Sequence, residues 1–305
     1  MRYIAQLPDP LSQAFIPLLH GLMRKLVLRM GATMECHTLQ EIRSNLYYLP
    51  AQPGAGQLPV VLLHGIADNA LTWGFMLPGL RAIGPLYALD LPGFGLSGYP
   101  PGRRYSPIDE QVSVVRQLVR ERIGRPALVV GNSMGGWVAA RLAELDPELV
   151  RGAVLLNPGG AMLDGRLSWE PFLKTLALGD LKVVRSVYRQ MFGRVNPALY
   201  LGQRSFQTLF RRDPVAQFVA AANEDAFFRP AELRDLRVPI GLVWGMADRF
   251  LPSGSFEFFR DNLPGAALLT LPGCGHLPQQ ERPRQVANFV RRFAKERVVP
   301  LAPAA

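Results

Sequence analysis

The sequence has few cysteines, few charged side chains and no long apolar run, and each shortage excludes a class of protein. Its 305 residues include two cysteines, which excludes a small scaffold held together by many disulfide bonds. Charged residues make up 19% and apolar residues 49%, which excludes an intrinsically disordered chain. No apolar stretch reaches the roughly 20 residues that cross a bilayer, so no transmembrane helix is predicted. These exclusions leave a globular protein, with either one large domain that carries an insertion or two domains.

Basic residues outnumber acidic ones, but they lack the patterns of nucleic-acid-binding proteins. Lys and Arg total 34 and Asp and Glu total 24, which gives a formal net charge of +10. There is no run of five like charges, no zinc-finger spacing and no aromatic RNA-binding motif, so no nucleic-acid partner is predicted. The excess charge then indicates either a solvated basic surface or attraction to an anionic surface such as a membrane.

An apolar segment near the N-terminus, residues 14–23, is followed directly by Arg24 and Lys25. Its apolar residues recur at helical spacing over about half of the helix circumference, which predicts an amphipathic helix. Because the charges follow the apolar stretch, a cleavable signal peptide is not predicted, and we expect a cytoplasmic protein. The apolar face either packs on its own domain or on a second copy of the chain, or residues 14–30 contact a lipid interface.

From residue 45 onward, short apolar runs alternate with helical patterns. The runs rich in Val, Ile and Leu are typical of buried strands. They lie at 45–49, 59–63, 85–91, 127–130, 153–156, 240–244 and 266–271, and helices are predicted at 109–122, 134–145 and 279–298. This alternation predicts an α/β fold with a mostly parallel, doubly wound sheet.

One interval, residues 161–229, breaks the alternation. It contains no predicted strand, and it is rich in aromatic residues, from Trp169 and Phe172 to Phe227 and Phe228. We predict an inserted helical cap whose rings form a small core or line an apolar cavity over a site. The predicted divisions are a helical leader at 1–44, a core at 45–160 and 230–298, the cap, and a tail at 299–305.

Residues 131–135, Gly-Asn-Ser-Met-Gly, match the pattern G-x-S-x-G between a predicted strand and a predicted helix. In this context the pattern indicates a nucleophile elbow, because the sharp turn needs small residues two positions before and after the serine. Gly131 and Gly135 meet that need, and Ser133 is the candidate nucleophile. The helix that begins behind it places the N–H of Met134 where an oxyanion would form.

A serine nucleophile needs a base, and the base needs an acid that orients it. His276 lies between the last predicted strand and the last helix, where a parallel sheet presents catalytic groups, and is the predicted base. Asp248 directly follows another predicted strand and is the predicted acid. Asp164 stays a minor alternative. Asp90 is a weaker candidate for the acid, because it precedes the serine in the chain and lies in a turn where an aspartate more often bonds the backbone.

Together these motifs make residues 45–298 resemble the α/β-hydrolase superfamily. Beside the elbow, similar segments are His64-Gly65, residues 90–97, the G-x-A-D sequence at 245–248 and the G-x-G-H sequence at 273–276. The resemblance implies that Ser133, His276 and Asp248 form a catalytic triad. It implies an oxyanion hole made by the N–H groups of Ile66 and Met134, and a cap between the sixth and seventh strands.

Several activities are compatible with this resemblance. A serine at the elbow argues against epoxide hydrolases and haloalkane dehalogenases, which use aspartate there. Residues 131–136 resemble the elbow of meta-cleavage product C–C hydrolases, but residues 64–69 and Leu277 depart from the pattern of that group. The aromatic cap and amphipathic leader favour an esterase or lipase that acts on apolar acyl substrates through an acyl-enzyme.

A cofactor-free haloperoxidase-like enzyme and a non-catalytic binding protein are the less favoured alternatives. No cofactor is predicted. No metal is predicted either, because the sequence has neither H-E-x-x-H nor a cluster of His, Cys and Asp. Cys36 and Cys274 are expected to be free thiols, and a homodimer stays open.

Overall fold

The computed structural model describes residues 9–164, 169–170, 180–221 and 224–298. Within these ranges, eight strands form one sheet in the order β1-β2-β4-β3-β5-β6-β7-β8. The strands are β1 (Thr33–Leu39), β2 (Ile42–Leu49), β3 (Val60–Leu63), β4 (Leu86–Leu89), β5 (Ala127–Asn132), β6 (Val150–Leu156), β7 (Ile240–Gly245) and β8 (Ala267–Leu271). The pairs β1–β2 and β2–β4 are antiparallel, and all other neighbours are parallel. The predicted fold class, with its mostly parallel sheet, is confirmed.

Helices cover both faces of the sheet. The described helices are α1 (Asp9–Arg29), α2 (Leu77–Leu80), α3 (Ile108–Gln117), α4 (Met134–Leu145), α5 (Leu181–Met191), α6 (Gln203–Phe210), α7 (Asp213–Ala221), α8 (Pro230–Arg234), α9 (Ser255–Asn262), α10 (Pro278–Glu281) and α11 (Pro283–Arg297). Strand residues alternate between two apolar cores, so Val61 and Leu63 of β3 pack with α3 and α4 while Val60 and Leu62 pack with α2 and α11. The short central strands are therefore buried on both faces, which is why they read as continuous apolar runs.

Strand β1 lies inside the segment predicted as the helical leader, so the sheet begins at Thr33 rather than at residue 45. As an edge strand with mostly exposed residues, β1 lacks the apolar pattern that indicates a strand. It pairs with β2 through a tight turn in which Gln40 and Glu41 have φ of 49° and 60°. The predicted strand at 45–49 is the second part of β2.

Two predicted helices are divided in the structure. The helix predicted at 109–122 is α3 followed by a π-type turn, Leu118–Ile123, and it ends at Gly124, whose φ is 71°. The helix predicted at 279–298 separates into α10 and α11 at Pro283. Proline has no N–H to donate into a helix, so its ring starts a new helix instead of continuing the old one.

Between β6 and β7 the chain leaves the sheet for the interval 161–229, called the cap segment below. Its described part holds helices α5, α6 and α7 and 3₁₀ turns at Pro197–Gly202 and Glu224–Ala226. No strand occurs in the described part, apart from one isolated bridge between Ala161 and Phe228. The rings of Tyr188, Phe206 and Phe210 pack in sequence, with centroids 4.7 and 4.6 Å apart. Phe172 lies outside the described residues.

Helix α1 contains the predicted amphipathic segment and packs on its own chain. Val27, near its end, is buried in the core that also holds α2 and α11. The Arg24 guanidinium donates to the Tyr47 hydroxyl at 3.1 Å, which ties the helix to β2. In the part of the chain that the structure describes, no helix combines the length and apolarity needed to cross a membrane.

Asp90, at the end of β4, is a buried carboxylate that holds three segments together. It accepts hydrogen bonds from the Ala70 N–H at 2.7 Å, the Leu96 N–H at 2.9 Å and the Asn45 side chain at 2.9 Å. These bonds join the loop that follows β3, the turn that follows β4, and strand β2 through Asn45. This structural role agrees with the sequence argument against Asp90 as the catalytic acid.

Asp90→Ala should destabilise the fold by about 3 kcal/mol, because it leaves buried donors without an acceptor. Urea unfolding followed by circular dichroism measures the change. The exposed Asp109 in the first turn of α3 provides the control, since Asp109→Ala removes only a helix-terminal charge worth about 1 kcal/mol or less. Equal stability of the two variants would contradict the role given to Asp90.

Candidate active site

Ser133 occupies a sharp turn between the end of β5 and the start of α4. Its φ of 55° and ψ of −118° lie in a region that side chains other than glycine rarely adopt. A Cβ at Gly131 would overlap the carbonyl of Gly135, and a Cβ at Gly135 would overlap the carbonyls of Leu63 and His64. The two glycines therefore permit the turn, as their spacing in the sequence predicts.

His276 and Asp248 form a buried pair on the loops that follow β8 and β7. The His276 Nδ1 atom lies 2.8 Å from Asp248 Oδ2, and the two side chains are 2% and 1% exposed. Asp248 Oδ1 accepts from the N–H groups of Phe250 at 2.8 Å and Leu251 at 3.3 Å. The carboxylate is thus fixed and points at one ring nitrogen, which leaves Nε2 as the nitrogen that can exchange a proton.

Asn157, which directly follows β6 and has no motif that identifies it in the sequence, holds the predicted acid in place. Its Nδ2 donates to Asp248 Oδ2 at 2.7 Å, and its Oδ1 accepts from the Gly245 N–H at 3.0 Å. Its φ of 40° is left-handed, a conformation that asparagine tolerates better than most residues. The available signal was its position, because Asn157 directly follows a strand whose end meets the other strand ends at one edge of the sheet.

A second amide, Asn132, connects the elbow to the histidine loop. Its Nδ2 donates to the carbonyls of Leu156 and His276, at 3.0 Å each. Its Oδ1 accepts from Gln279 Nε2 at 3.0 Å. The residue before Ser133 therefore also positions the backbone of the predicted base.

The N–H groups predicted for an oxyanion hole belong to two adjoining segments. Met134 is the first residue of α4, where backbone N–H groups lack helical acceptors. Ile66 follows Gly65, at which a Cβ would lie 3.2 Å from Ser133 Cβ, so this loop lies directly against the predicted nucleophile. Both Ile66 and Ser133 line the same cavity.

His64 supports that loop through both of its ring nitrogens. Its Nε2 accepts from the Leu91 N–H at 2.9 Å, so the ring hydrogen is on Nδ1, which lies 2.7 Å from the Gly65 carbonyl. The fully buried ring thereby fixes the direction of the His64–Gly65 turn.

The cap segment is bonded directly to the histidine loop. The His276 N–H donates to the Met191 carbonyl at 2.6 Å, at the end of α5. The Glu281 carboxylate accepts from the Gly275 N–H at 2.8 Å and from the Gly193 N–H at 3.0 Å. Burial raises the pKa of Glu281 despite these two bonds. The backbone of the predicted base therefore depends on contacts from the cap side.

An apolar cavity of about 230 Å³ lies between the core and the cap segment. Ser133 and His276 line it together with apolar residues of the cap segment, among them Met191, Phe192, Phe206 and Leu209. In the described part of the chain, no hydrogen bond joins the Ser133 hydroxyl to His276. Such bonds are often long in unliganded enzymes and tighten with substrate.

Cys274, two residues before His276, is a poor alternative nucleophile. Cys274 is buried, and burial raises the pKa of its thiol to about 12. The thiol therefore stays protonated at neutral pH, whereas nucleophilic cysteines need the thiolate. Cys274 and the exposed Cys36 are both free, as the sequence predicts.

Comparison with known proteins relates this chain to hydrolases. A family model described as "Alpha/beta hydrolase family" matches residues 60–289. The "Putative hydrolase LipZ" of Mycobacterium tuberculosis is 30% identical over 257 residues, which cover 77% of this chain and 88% of that protein.

The fold also occurs in solved structures of other proteins. A membrane phospholipase A described as a bacterial virulence factor aligns with a TM-score of 0.78 and 22% identity, over 93% of this chain and 91% of its own. The meta-cleavage product hydrolase CumD of Pseudomonas fluorescens IP01 aligns with a TM-score of 0.70 and 21% identity, over 86% and 97%.

The geometry predicts that Asp248, and not Asp164, is the hydrogen-bond partner of the His276 imidazole. The proton between His276 Nδ1 and Asp248 should give a protected downfield signal in the proton NMR spectrum, because the pair is nearly inaccessible to water. Asp248→Ala should remove this signal, and Asp164→Ala, at an exposed position, should retain it. The opposite result would reassign the acid.

Proposed function

Because the chain belongs to the alpha/beta hydrolase family, we propose that it hydrolyses carboxylic esters with apolar acyl groups through a serine acyl-enzyme. One observation carries the proposal: the elbow serine and His276, which is paired with the buried Asp248, both line one apolar cavity. A fixed carboxylate, an imidazole with one free nitrogen and a hydroxyl at a helix start are the parts that acyl transfer requires.

In the first half of the proposed reaction, Ser133 Oγ attacks the ester carbonyl carbon while His276 Nε2 accepts the hydroxyl proton. Asp248 stabilises the imidazolium that forms. The N–H groups of Ile66 and Met134 donate to the oxyanion, aided by the positive end of α4. The tetrahedral intermediate then collapses, the C–O bond to the alcohol breaks, and His276 protonates the departing oxygen.

In the second half, a water molecule attacks the acyl carbon and gives its proton to His276. The bond between the acyl carbon and Ser133 Oγ breaks, the carboxylic acid is released, and the serine regains its proton from the imidazole. The same three residues therefore serve both half-reactions, and no cofactor enters the scheme.

Ser133→Ala should lower kcat for a p-nitrophenyl ester by at least about a thousandfold, because the acyl-enzyme can no longer form. A fluorophosphonate probe should label the wild-type protein and fail to label this variant. Cys274→Ala is the matched control, because it removes the neighbouring thiol and leaves the elbow intact. Labelling that survives Ser133→Ala and disappears in Cys274→Ala would overturn the assignment.

The elbow sequence also favours a second candidate, a meta-cleavage product C–C hydrolase, whose chemistry uses the same triad. Leu277 after His276 and the loop at 64–69 argue against it. A panel of p-nitrophenyl esters from short to long chains, assayed beside a meta-cleavage dienoate, separates the two activities. Cleavage of the dienoate without cleavage of any ester would replace the ester proposal.

We propose further that helix α1 contacts an anionic lipid surface. Leu11, Leu18 and Leu22 lie on one face of the helix and are 52%, 62% and 63% exposed; together with Lys25 and Arg29, also exposed, they form what we call the α1 stripe. This combination of leucines with basic residues and the net charge of +10 suit an anionic bilayer. The name of the membrane phospholipase A that shares the fold supports the same proposal.

The α1 stripe also adjoins the entrance of the cavity. Leu19 and Phe75 both line the cavity and are 46% and 60% exposed, so apolar surface continues from the stripe into the site. A bilayer in contact with the stripe would therefore cover the cavity entrance. Lipid esters would then reach Ser133 without crossing water.

The double variant Leu18→Glu/Leu22→Glu should bind vesicles containing phosphatidylglycerol at least about tenfold more weakly than wild type, since it places negative charge on the exposed face that would contact the bilayer. Leu145→Glu, at a leucine that is 53% exposed at the end of α4, is the control. Co-sedimentation measures binding. Equal binding by both variants would contradict the proposal, and a dimer lost only in the double variant would instead assign the stripe to a second copy of the chain.

A further inference from the structure

Helix α1 contributes a wall to the cavity that holds Ser133. Ile16, Leu19, His20 and Met23 all line that cavity, and they occupy the face of the helix beside the α1 stripe. Burial lowers the pKa of His20 below its ordinary value, so its imidazole is neutral at neutral pH and adds no charge to this wall. A segment more than 100 residues before the nucleophile therefore encloses the space around it.

The wall is supported from both sides of the cavity. On the core side, a Cβ at Gly74 would overlap the Met23 sulfur. On the cap side, a Cβ at Gly202 would lie 2.8 Å from the Phe15 ring and 3.2 Å from the Ile16 side chain. Side chains of α1 thus lie against the backbone at Gly74 on one side and at Gly202 on the other. The absence of a side chain at these two glycines sets the distance of the helix from the core and from the cap segment.

A buried serine of the cap segment fixes the first half of the helix. The Ser205 hydroxyl of α6 lies 2.5 Å from the Ser12 carbonyl and 2.8 Å from the Gln13 carbonyl, and shares its one hydrogen between them. The Ile16 N–H donates back to Ser205 Oγ at 3.3 Å. Ser12 and Ser205 are each 3% exposed.

Pro17 explains why the helix needs this partner. In a regular helix the Gln13 carbonyl would accept from the N–H four residues later, and proline has none. The Ser205 hydroxyl supplies the missing donor at that turn. The interruption inside α1 and the serine on α6 therefore form one junction, which we call the Pro17–Ser205 junction.

We propose that α1 is the specificity-determining wall of the cavity and that the Pro17–Ser205 junction holds it in place. Ile16 and Met23 contact the far part of the substrate's apolar chain, beyond the reach of a short acyl group. This inference rests on the proposed ester hydrolysis and adds which element selects the acyl chain. A long acyl chain gains contacts along α1 that an acetyl group does not reach.

Ile16→Ala and Met23→Ala should each lower the ratio of kcat/KM for p-nitrophenyl dodecanoate to that for p-nitrophenyl acetate by about tenfold. The acetate value alone should stay within about twofold of wild type, because the lost contacts are remote from the reacting carbonyl. Leu28→Ala is the matched control, since Leu28 is an exposed residue of the same helix outside the cavity lining.

The junction is tested separately with Ser205→Ala, compared with Thr208→Ala, an exposed residue of the same helix α6. Ser205→Ala should speed hydrogen exchange of the backbone amides around Ile16 and lower the same dodecanoate-to-acetate ratio. Thr208→Ala should change neither quantity. Equal exchange and equal ratios in the two variants would overturn the role of the junction.

The outcomes distinguish this inference from the function on which it rests. If wild type cleaves both esters and the Ile16 and Met23 variants keep the wild-type ratio, α1 does not select the acyl chain, and the ester hydrolase remains. If wild type cleaves neither ester, the proposed function fails and the inference fails with it. A lowered ratio with the acetate rate retained supports both.

Discussion

The close approach of two backbone segments at Gly131 and Gly135 is the constraint on which the site depends. With no side chain at either position, β5 can turn into α4 within a single residue, and Ser133 takes a φ that is costly outside glycine. The same absence of a Cβ at Gly135 lets the carbonyls of Leu63 and His64 come close. One steric requirement therefore positions the serine, the start of the helix and the neighbouring loop together.

The central strands of the sheet and the candidate catalytic residues can be predicted from the sequence, because both depend on local sequence patterns. The buried strands appear as apolar runs, and Ser133 and His276 each sit beside the end of such a run. Edge strand β1 could not be found this way, because its exposed residues carry no apolar pattern. Asn157 and Glu281 were missed for another reason: their roles arise from partners that lie far away in the chain and meet only in the fold.

Core and cap segment are not independent parts around the site. The backbone of His276 is bonded to the end of α5, and Glu281 bonds the loops on both sides. Helix α1 adds a further connection, since it packs against Gly74 in the core and against Gly202 in the cap segment. A displacement of the cap segment would therefore move the backbone of His276 as well as the cavity wall. In the proposed reaction, binding of an acyl chain in the cavity would thus affect the placement of the predicted base.

The contrast between the two cysteines has a practical consequence. Cys36 is exposed on the edge strand, whereas the Cys274 thiol is buried and stays protonated. A thiol-directed reagent at neutral pH therefore meets a single reactive position in the natural sequence. The protein carries its own attachment point for a fluorophore or spin label, on strand β1 rather than at the cavity, so reporters of motion can be introduced without altering any residue.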